Sequence, residues 1–258
     1  MAVFLKNYIM RLVSKFFIAF LILAYLNSCS SDDESSDIDS DSLNGKTTAN
    51  FNSSITYGTM TDQDGNIYKT VTIGTQTWMA ENLRTTKYND GSAIDHVTDN
   101  EEWTDLTTGA YCNYNNTTDA VQIATYGRLY NWHAVDLNKL APAGWHMPSA
   151  AEWTTLANYL GGSEIAGGKL KENGINHWKT YNEGATNETG FTALPGGARS
   201  HTGGFISFEE RGMWWSATYD VLNFAFSRYL YNNNDDFIQA SYDSSYLTSG
   251  FSVRLIKD

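Results

Sequence analysis

The sequence contains only two cysteines, Cys29 and Cys112, and this shortage is what most constrains the fold. Cys29 directly follows an export signal and is predicted to carry lipid, so the exported chain keeps one thiol and cannot form an internal disulfide bond. Small exported domains commonly depend on disulfide bonds. This domain must instead be held together by apolar burial, and about 200 residues rich in aromatic side chains are enough for one hydrophobic core. Cys112 is expected to be a small buried residue.

Residues 1–28 have the composition of a lipoprotein signal peptide. The basic residues at its start are Lys6, Arg11 and Lys15. The apolar run that follows, residues 16–26, is too short for a membrane span, which needs about 20 residues. Small or polar residues then precede Cys29, a pattern typical of acylation at that cysteine. We expect a protein anchored by lipid to the outer membrane; an ordinary secretory signal or a signal anchor is the alternative.

Residues 29–56 are predicted to be a flexible acidic tether, because they are mainly Ser, Asp, Asn and Thr and could bury little surface. Asp32-Asp33-Glu34 resembles the export tag of surface lipoproteins in gut and marine bacteria, and Asp41-Ser42-Leu43 resembles an acceptor for O-glycosylation. The whole chain has a net charge of −12, and loss of the three cations of the signal peptide leaves −15. Nucleic acid and anionic membrane surfaces are therefore poor partners.

The folded domain is predicted to span residues 57–258. Residues 70–73 alternate between Thr and apolar side chains and end at a Gly74-Thr75 reversal, which indicates a β-hairpin. Ser149 and Glu152 form a capping box at the start of a helix that Gly161-Gly162 ends. A second short helix is predicted over 126–137, where ring and apolar residues recur at helical spacing. Two short helices followed by loop-rich strands indicate an α+β domain with antiparallel sheets.

Several longer motifs occur in order along this domain. They are DGNIYKTVTIG (64–74), WMAENL (78–83), YGRLYNW (126–132), GWHMPSAAEW (144–153), WWSAT (214–218) and GFSVR (250–254). In this order they resemble the Fibrobacter succinogenes major paralogous domain, a family of exported bacterial modules with no established activity. Residues 148–153 and 250–254 are more distantly similar to the formylglycine-generating enzyme group. That second resemblance implies a C-type-lectin-like fold with two short helices, antiparallel sheets and long loops.

Enzymes of the formylglycine-generating kind bind copper through paired cysteines, and the folded domain has Cys112 alone, so the resemblance does not carry that activity over. The sequence also lacks a Gly-x-Ser-x-Gly elbow and a His-Glu-x-x-His zinc motif. A hydrolase or modifying enzyme on the same scaffold stays open as an alternative. Its titratable groups would be Arg199, His201, Glu209 and Glu210.

Three tryptophans are candidate ligand-binding residues: Trp178, Trp214 and Trp215. Exposed rings on an antiparallel scaffold commonly bind sugars through stacking and apolar contact, and the alternative is packing in the core. Because Trp214 and Trp215 are adjacent on a predicted strand, they should point to opposite faces. At most one of them is then expected to be fully inward.

The loop that contains Asn234, Asp235 and Asp236 supplies hard oxygen ligands that suit Ca²⁺. The same residue types form ordinary turns, so we expect no cofactor and keep calcium as the alternative.

Together the observations predict a non-enzymatic, lipid-anchored module of the bacterial cell surface that binds an extracellular glycan or protein. A structural role in the envelope is a further alternative.

Overall fold

The computed structural model describes residues 43–258 of the chain. The signal peptide, the acylation site Cys29 and the glycosylation candidate Ser42 lie outside the described residues, so the predictions about them stay predictions. Among residues 43–258, every helix is too short or too polar to cross a membrane.

Thirteen short strands and five short helices follow one another along the described residues. The strands are β1 (Gly58–Thr61), β2 (Ile67–Ile73), β3 (Gln76–Met79), β4 (Asp95–His96), β5 (Ala110–Cys112), β6 (Leu129–Tyr130), β7 (Trp145–His146), β8 (Ala198–Arg199), β9 (Phe205–Ile206), β10 (Arg211–Tyr219), β11 (Ala225–Tyr231), β12 (Phe237–Tyr242) and β13 (Ile256–Lys257). The helices are α1 (Asn100–Thr104), α2 (Ala120–Tyr126), α3 (Trp132–Asp136), α4 (Ala150–Tyr159) and α5 (Ala166–Leu170), with 3₁₀ turns at Tyr114–Asn116 and Ser244–Tyr246.

The strands form four sheets, and nearly all neighbouring strands are antiparallel. The largest sheet has five strands in the order β1-β2-β3-β13-β7, so the end of the chain is inserted beside its first hairpin. Two three-stranded sheets, β10-β11-β12 and β4-β5-β6, and the β8-β9 pair complete the architecture. The parallel exception is the β4-β5 pair. The predicted α+β class is confirmed, with five short helices instead of two.

Local sequence signals explain the elements that were predicted correctly. The β2-β3 hairpin places Thr72 opposite Thr77 and turns at Gly74, whose φ of 62° is unfavourable for other residues. At the start of α4, the Ser149 hydroxyl accepts from the Glu152 backbone N–H, and the Glu152 carboxylate accepts from the Ser149 backbone N–H at 2.7 Å. Both bonds of the capping box are therefore present.

The helix predicted over 126–137 is wrong as one continuous element. Helix α2 ends at Tyr126 because Gly127 follows with φ 74°. A side chain on Gly127 would lie 2.6 Å from Cβ of Asn82, so only glycine allows this approach. The chain then passes through β6, and Asn131 caps the separate helix α3 by accepting from the Ala134 N–H. The helical spacing came from two short helices on either side of a strand.

Two hydrophobic clusters cover opposite faces of the five-stranded sheet. On one face α4 packs its Trp153 on Trp78 of β3, with ring centroids 4.4 Å apart. The other face buries Tyr68 and Met79 with side chains from the three-stranded sheet β10-β11-β12. Cys112 is buried and unpaired, as expected, and burial raises the pKa of its thiol to about 12. The thiol therefore stays protonated and is a poor nucleophile.

Part of the predicted tether is docked on the domain. Residues 29–42 lie outside the described range, but Leu43 is buried against Ile123 and Ala124 of α2. Farther along, the Thr48 hydroxyl lies 2.9 Å from Nε2 of His177, whose Nδ1 lies 2.7 Å from the buried Glu172 carboxylate. The expectation of a flexible tether up to residue 56 is therefore wrong for residues 43–56. The prediction from composition failed because these polar side chains form hydrogen bonds to the domain as well as to water.

Candidate functional site

A trough of about 530 Å³ lies on the five-stranded sheet and is the candidate functional site. Its lining residues are Ile55, Thr56, Gly58, Thr59, Thr70, Val71, Thr72, Thr77, Trp145 and Lys257. Thr70 and Thr72 alternate along β2 with Val71 and Ile73, which pack on the α4 side, so these threonines lie on the opposite face of the sheet. All five strands of the sheet contribute to this lining, so the sheet itself holds the site in shape.

Threonine hydroxyls form the floor of the trough, and one indole forms part of its wall. Thr72 and Thr77 are cross-strand neighbours whose hydroxyl oxygens lie 3.0 Å apart. Gly58 is required beside them, since a side chain there would lie 2.7 Å from the Thr70 hydroxyl oxygen. Trp145 of β7 is half-buried and packs its inner part against the core. A polar floor beside a partly exposed ring offers hydrogen bonds and stacking to the same ligand.

Lys257 is the one charged residue that lines the trough, and it lies directly opposite Trp145 in the β13-β7 pair. Its side chain is exposed and makes no ion pair with any residue of the described chain. The trough is therefore lined by a free cation and by no carboxylate, in a protein whose net charge is −12.

On the other face of the same strands, His146 bridges two carboxylates. Its Nε2 lies 2.8 Å from Oε1 of Glu152, and its Nδ1 lies 2.6 Å from Oδ1 of Asp258. Ionised carboxylates only accept, so both ring nitrogens can donate at once only when the imidazole is protonated. We call His146, Glu152 and Asp258 the clasp, because they tie β7, β13 and the start of α4 together.

The clasp should stabilise the fold most in mildly acidic solution. Partial burial opposes the charged imidazole, but hydrogen bonds to Glu152 and Asp258 outweigh it and raise the pKa of His146 above 6.5. Burial also opposes the ionised Glu152, but hydrogen bonds from Ser149 and His146 lower its pKa below 4.5. The contribution of His146 to the free energy of unfolding is complete below about pH 6.5 and is lost as the pH rises through the raised pKa of His146. The contribution of Glu152 is lost as the pH falls through the lowered pKa of Glu152.

Replacing His146 by Gln is therefore expected to destabilise the protein at pH 5.5 and to have little effect at pH 9. The expected loss is under about 1 kcal/mol, because the pair is partly exposed to solvent. Urea unfolding of both proteins across pH 4–9 measures the difference. Parallel stability curves over the whole range would contradict the clasp.

The three candidate tryptophans do not form a ligand platform, because the structure buries all of them. Trp178, Trp214 and Trp215 are at most 1% exposed. Each indole N–H donates inside the protein: Trp178 to the Ala193 carbonyl, Trp214 to the Asn82 side-chain oxygen and Trp215 to the Tyr130 carbonyl, all at 2.9–3.0 Å. The expectation that one of the adjacent pair points outward is wrong, since both faces of β10 are covered.

The calcium candidates lie around a lysine ammonium. Nζ of the buried Lys171 donates to the backbone carbonyls of Glu183, Tyr231 and Asn234, at 2.5–3.1 Å. The Asn234 side-chain oxygen accepts from the Asp236 backbone N–H at 3.0 Å. No group of three or more His, Cys, Asp or Glu side chains within residues 43–258 is arranged to hold a metal ion. A cation already occupies the centre of this oxygen-rich loop.

We accordingly expect calcium to leave the melting temperature unchanged beyond what magnesium does at the same millimolar concentration. Lys171 supplies the positive charge, and a bound metal would have to displace it. Differential scanning calorimetry with each ion measures the shift, with Asp235→Asn and Asp236→Asn combined as the comparison protein. A saturable shift that only calcium produces, and that the double variant loses, would overturn this prediction.

The groups of the enzyme alternative are dispersed. Arg199 is buried and donates to the carbonyls of Val97 and Thr98, whereas the His201 ring packs against Tyr246 with centroids 4.3 Å apart. Glu210 pairs with Lys179 at 2.7 Å. Within the described chain, no hydrogen bond or ion pair joins His201 to either Glu209 or Glu210.

Residues 71–257 match the family model of the Fibrobacter succinogenes major domain, which covers more than half of the chain. The chain belongs to this family. No curated protein and no solved structure matches it.

In this Fibrobacter succinogenes major domain, the motifs that carry the resemblance build the core. The Asn82 side-chain oxygen accepts from Trp214 Nε1 and from Arg254 Nε, both at 2.9 Å. Its amide nitrogen donates to the Tyr126 carbonyl at 2.8 Å. One buried side chain thus joins four separate motifs, so these residues hold the core of this domain together.

The trough was not predicted from the sequence. Its signal was present in the alternation of the β2 hairpin, where Thr70 and Thr72 face away from Val71 and Ile73. Half-buried Trp145 lies within the motif GWHMPSAAEW (144–153). Only the insertion of β13 between β3 and β7 brings Lys257 and Trp145 beside those threonines.

Proposed function

We propose that this Fibrobacter succinogenes major domain protein is a lipid-anchored module of the bacterial cell surface that binds an extracellular glycan in the trough. The module is non-enzymatic in this proposal, because the candidate catalytic groups are dispersed. Its fold is C-type-lectin-like, a comparison supported by short helices, antiparallel sheets and long connecting loops. A protein ligand or a purely structural role in the envelope are the outcomes that the experiments below separate from it.

The observation that carries the proposal is the trough's combination of side chains. Sugars present hydroxyl groups at their edges and C–H groups on their faces, so they bind where hydroxyls or amides adjoin an aromatic ring. Trp145 supplies the ring, and Thr77 and Thr72 supply hydroxyls farther across the trough, on the other side of Lys257. The trough is open to solvent along the sheet, which suits a chain ligand better than a small enclosed one.

Glycan binding is tested with the mature lipidated protein in detergent on a glycan array. Trp145→Ala and the double change Thr72→Val with Thr77→Val should each abolish binding, because they remove the ring or the hydroxyls. Tyr181→Ala is the matched control, since Tyr181 is 79% exposed and lies outside the trough. Circular dichroism confirms that each variant is folded. Binding that survives both trough changes would contradict the site.

The lipid anchor depends on the thiol of Cys29. Cys29→Ser should therefore abolish incorporation of labelled fatty acid and leave an uncleaved precursor. Protease treatment of intact cells then tests surface exposure: wild-type protein should be digested while a periplasmic marker is spared. Label retained by the Cys29→Ser variant would contradict lipidation at this residue.

A further inference from the structure

We propose that the trough selects acidic glycans, with the ammonium of Lys257 bound to a carboxylate or sulfate of the sugar. This inference rests on the proposed function and names the ligand class of the same site. It goes further because a neutral sugar would satisfy the ring and the hydroxyls equally well. The argument depends on where the charges of the five-stranded sheet lie.

The two faces of the sheet edge carry opposite charge. Successive side chains of a strand point to opposite faces, so Lys257 and Asp258 diverge, as do Trp145 and His146. Asp258 is held on the α4 side by its bond to His146, together with Glu152. Lys257 alone remains on the trough side. The clasp thus holds the carboxylates of Glu152 and Asp258 on the α4 side of the sheet.

Lys257 is an unsatisfied cation in an acidic protein. Among the exposed lysines of the described chain, Lys87, Lys139 and Lys179 have carboxylate partners, whereas Lys46 and Lys257 have none. Lys257 has none, and no Asp or Glu lines the trough. Exposed charges act over about 8 Å at physiological ionic strength, and Lys257 is the one charged residue in the lining of the trough.

In the register of β13 and β7, one sugar residue can contact both Lys257 and Trp145. Lys257 and Trp145 are directly opposite each other, which places their Cβ atoms about 5 Å apart. A pyranose stacked on the indole would therefore present a substituent of its ring to the ammonium. A single lysine gives too little charge to bind nucleic acid or an anionic membrane, which require clusters of cations.

The test compares three oligosaccharides of equal length, made of galactose, galacturonate and sulfated galactose, by calorimetric titration of the mature lipidated protein. We expect the acidic oligosaccharides to bind about tenfold or more tightly than the neutral one, because one charge-assisted hydrogen bond is gained. Lys257→Met should remove this preference, because it removes the ammonium and keeps a side chain of similar length. Lys46→Met, a change at an exposed lysine outside the trough, should preserve the preference.

The outcomes separate this inference from the proposed function. Suppose that neutral and acidic sugars bind equally well, that Lys257→Met has no effect and that Trp145→Ala abolishes binding. This result would overturn the acidic preference but would still support a glycan site in the trough. No binding of any sugar would overturn both. A preference that disappears at high salt supports the ammonium contact, and the relative affinities of the carboxylated and sulfated sugars identify which acidic group is bound.

Discussion

Truncation of Trp153 to Ala is expected to lower the free energy of unfolding by about 3–5 kcal/mol. Trp153 is fully buried where α4 meets the five-stranded sheet. Its ring stacks on Trp78 and makes edge contacts with Phe191 and Phe237, at centroid distances of 6.2 Å and 5.7 Å. The truncation leaves a cavity among rigid rings that cannot collapse to fill it. Chemical denaturation measures the loss.

Ser149→Ala is the control within the same helix. It removes one capping bond from the amides at the start of α4 and should lower the free energy of unfolding by only about 1 kcal/mol. Similar losses for the two variants would mean that the helix contributes little to the core through Trp153. That result would also weaken the assignment of the α4 face as the closed side of the sheet.

Arg254→Met is expected to destabilise the protein by about 3 kcal/mol or more. The fully buried guanidinium donates to the Asn82 side chain at 2.9 Å, to the Thr192 carbonyl at 2.8 Å and to the Phe191 carbonyl. Each buried acceptor that loses its partner costs about 1–3 kcal/mol, and methionine can replace only the packing. Chemical denaturation is the measurement, with expression in soluble form as a first indication.

Arg211→Met is the matched control for a partly exposed arginine. Its guanidinium lies over the Tyr231 ring, 4.4 Å from the centroid, and the loss of this contact should cost less than about 1 kcal/mol. If Arg254→Met were as mild as Arg211→Met, the polar core that joins the family motifs would have no special structural role. The glycan binding that we propose should be unaffected by Arg211→Met, since Arg211 does not line the trough.

Features encoded by neighbouring residues were predictable. The capping box needs only Ser149 and Glu152, and the hairpin needs only a glycine reversal between alternating strands. Both signals act over a few residues, so local chemistry determines the result. The family resemblance was equally visible, because its motifs are contiguous stretches of sequence.

Features that depend on distant contacts were not predictable. The two tryptophans of β10 are both buried because different layers cover the two faces of that strand, which alternation alone cannot reveal. Helical spacing over 126–137 persisted across a break imposed by contact between Gly127 and Asn82. The trough could be predicted only from the order of the five strands, because Trp145 and Lys257 are far apart in the sequence.

The docking of residues 43–56 limits how far the domain can lie from the membrane. With the lipid on Cys29 as proposed, residues 30–42 alone separate the membrane from the first docked residue, Leu43, and even fully stretched they reach only about 45 Å. If the whole segment up to residue 56 were available as a spacer, the greatest distance between the membrane and the domain would be roughly 95 Å. If Cys29 is lipidated and the trough binds glycan, both as proposed, the trough would meet its ligand in the innermost layer of the cell coat. Polymers carried farther out would have to extend inward to be bound.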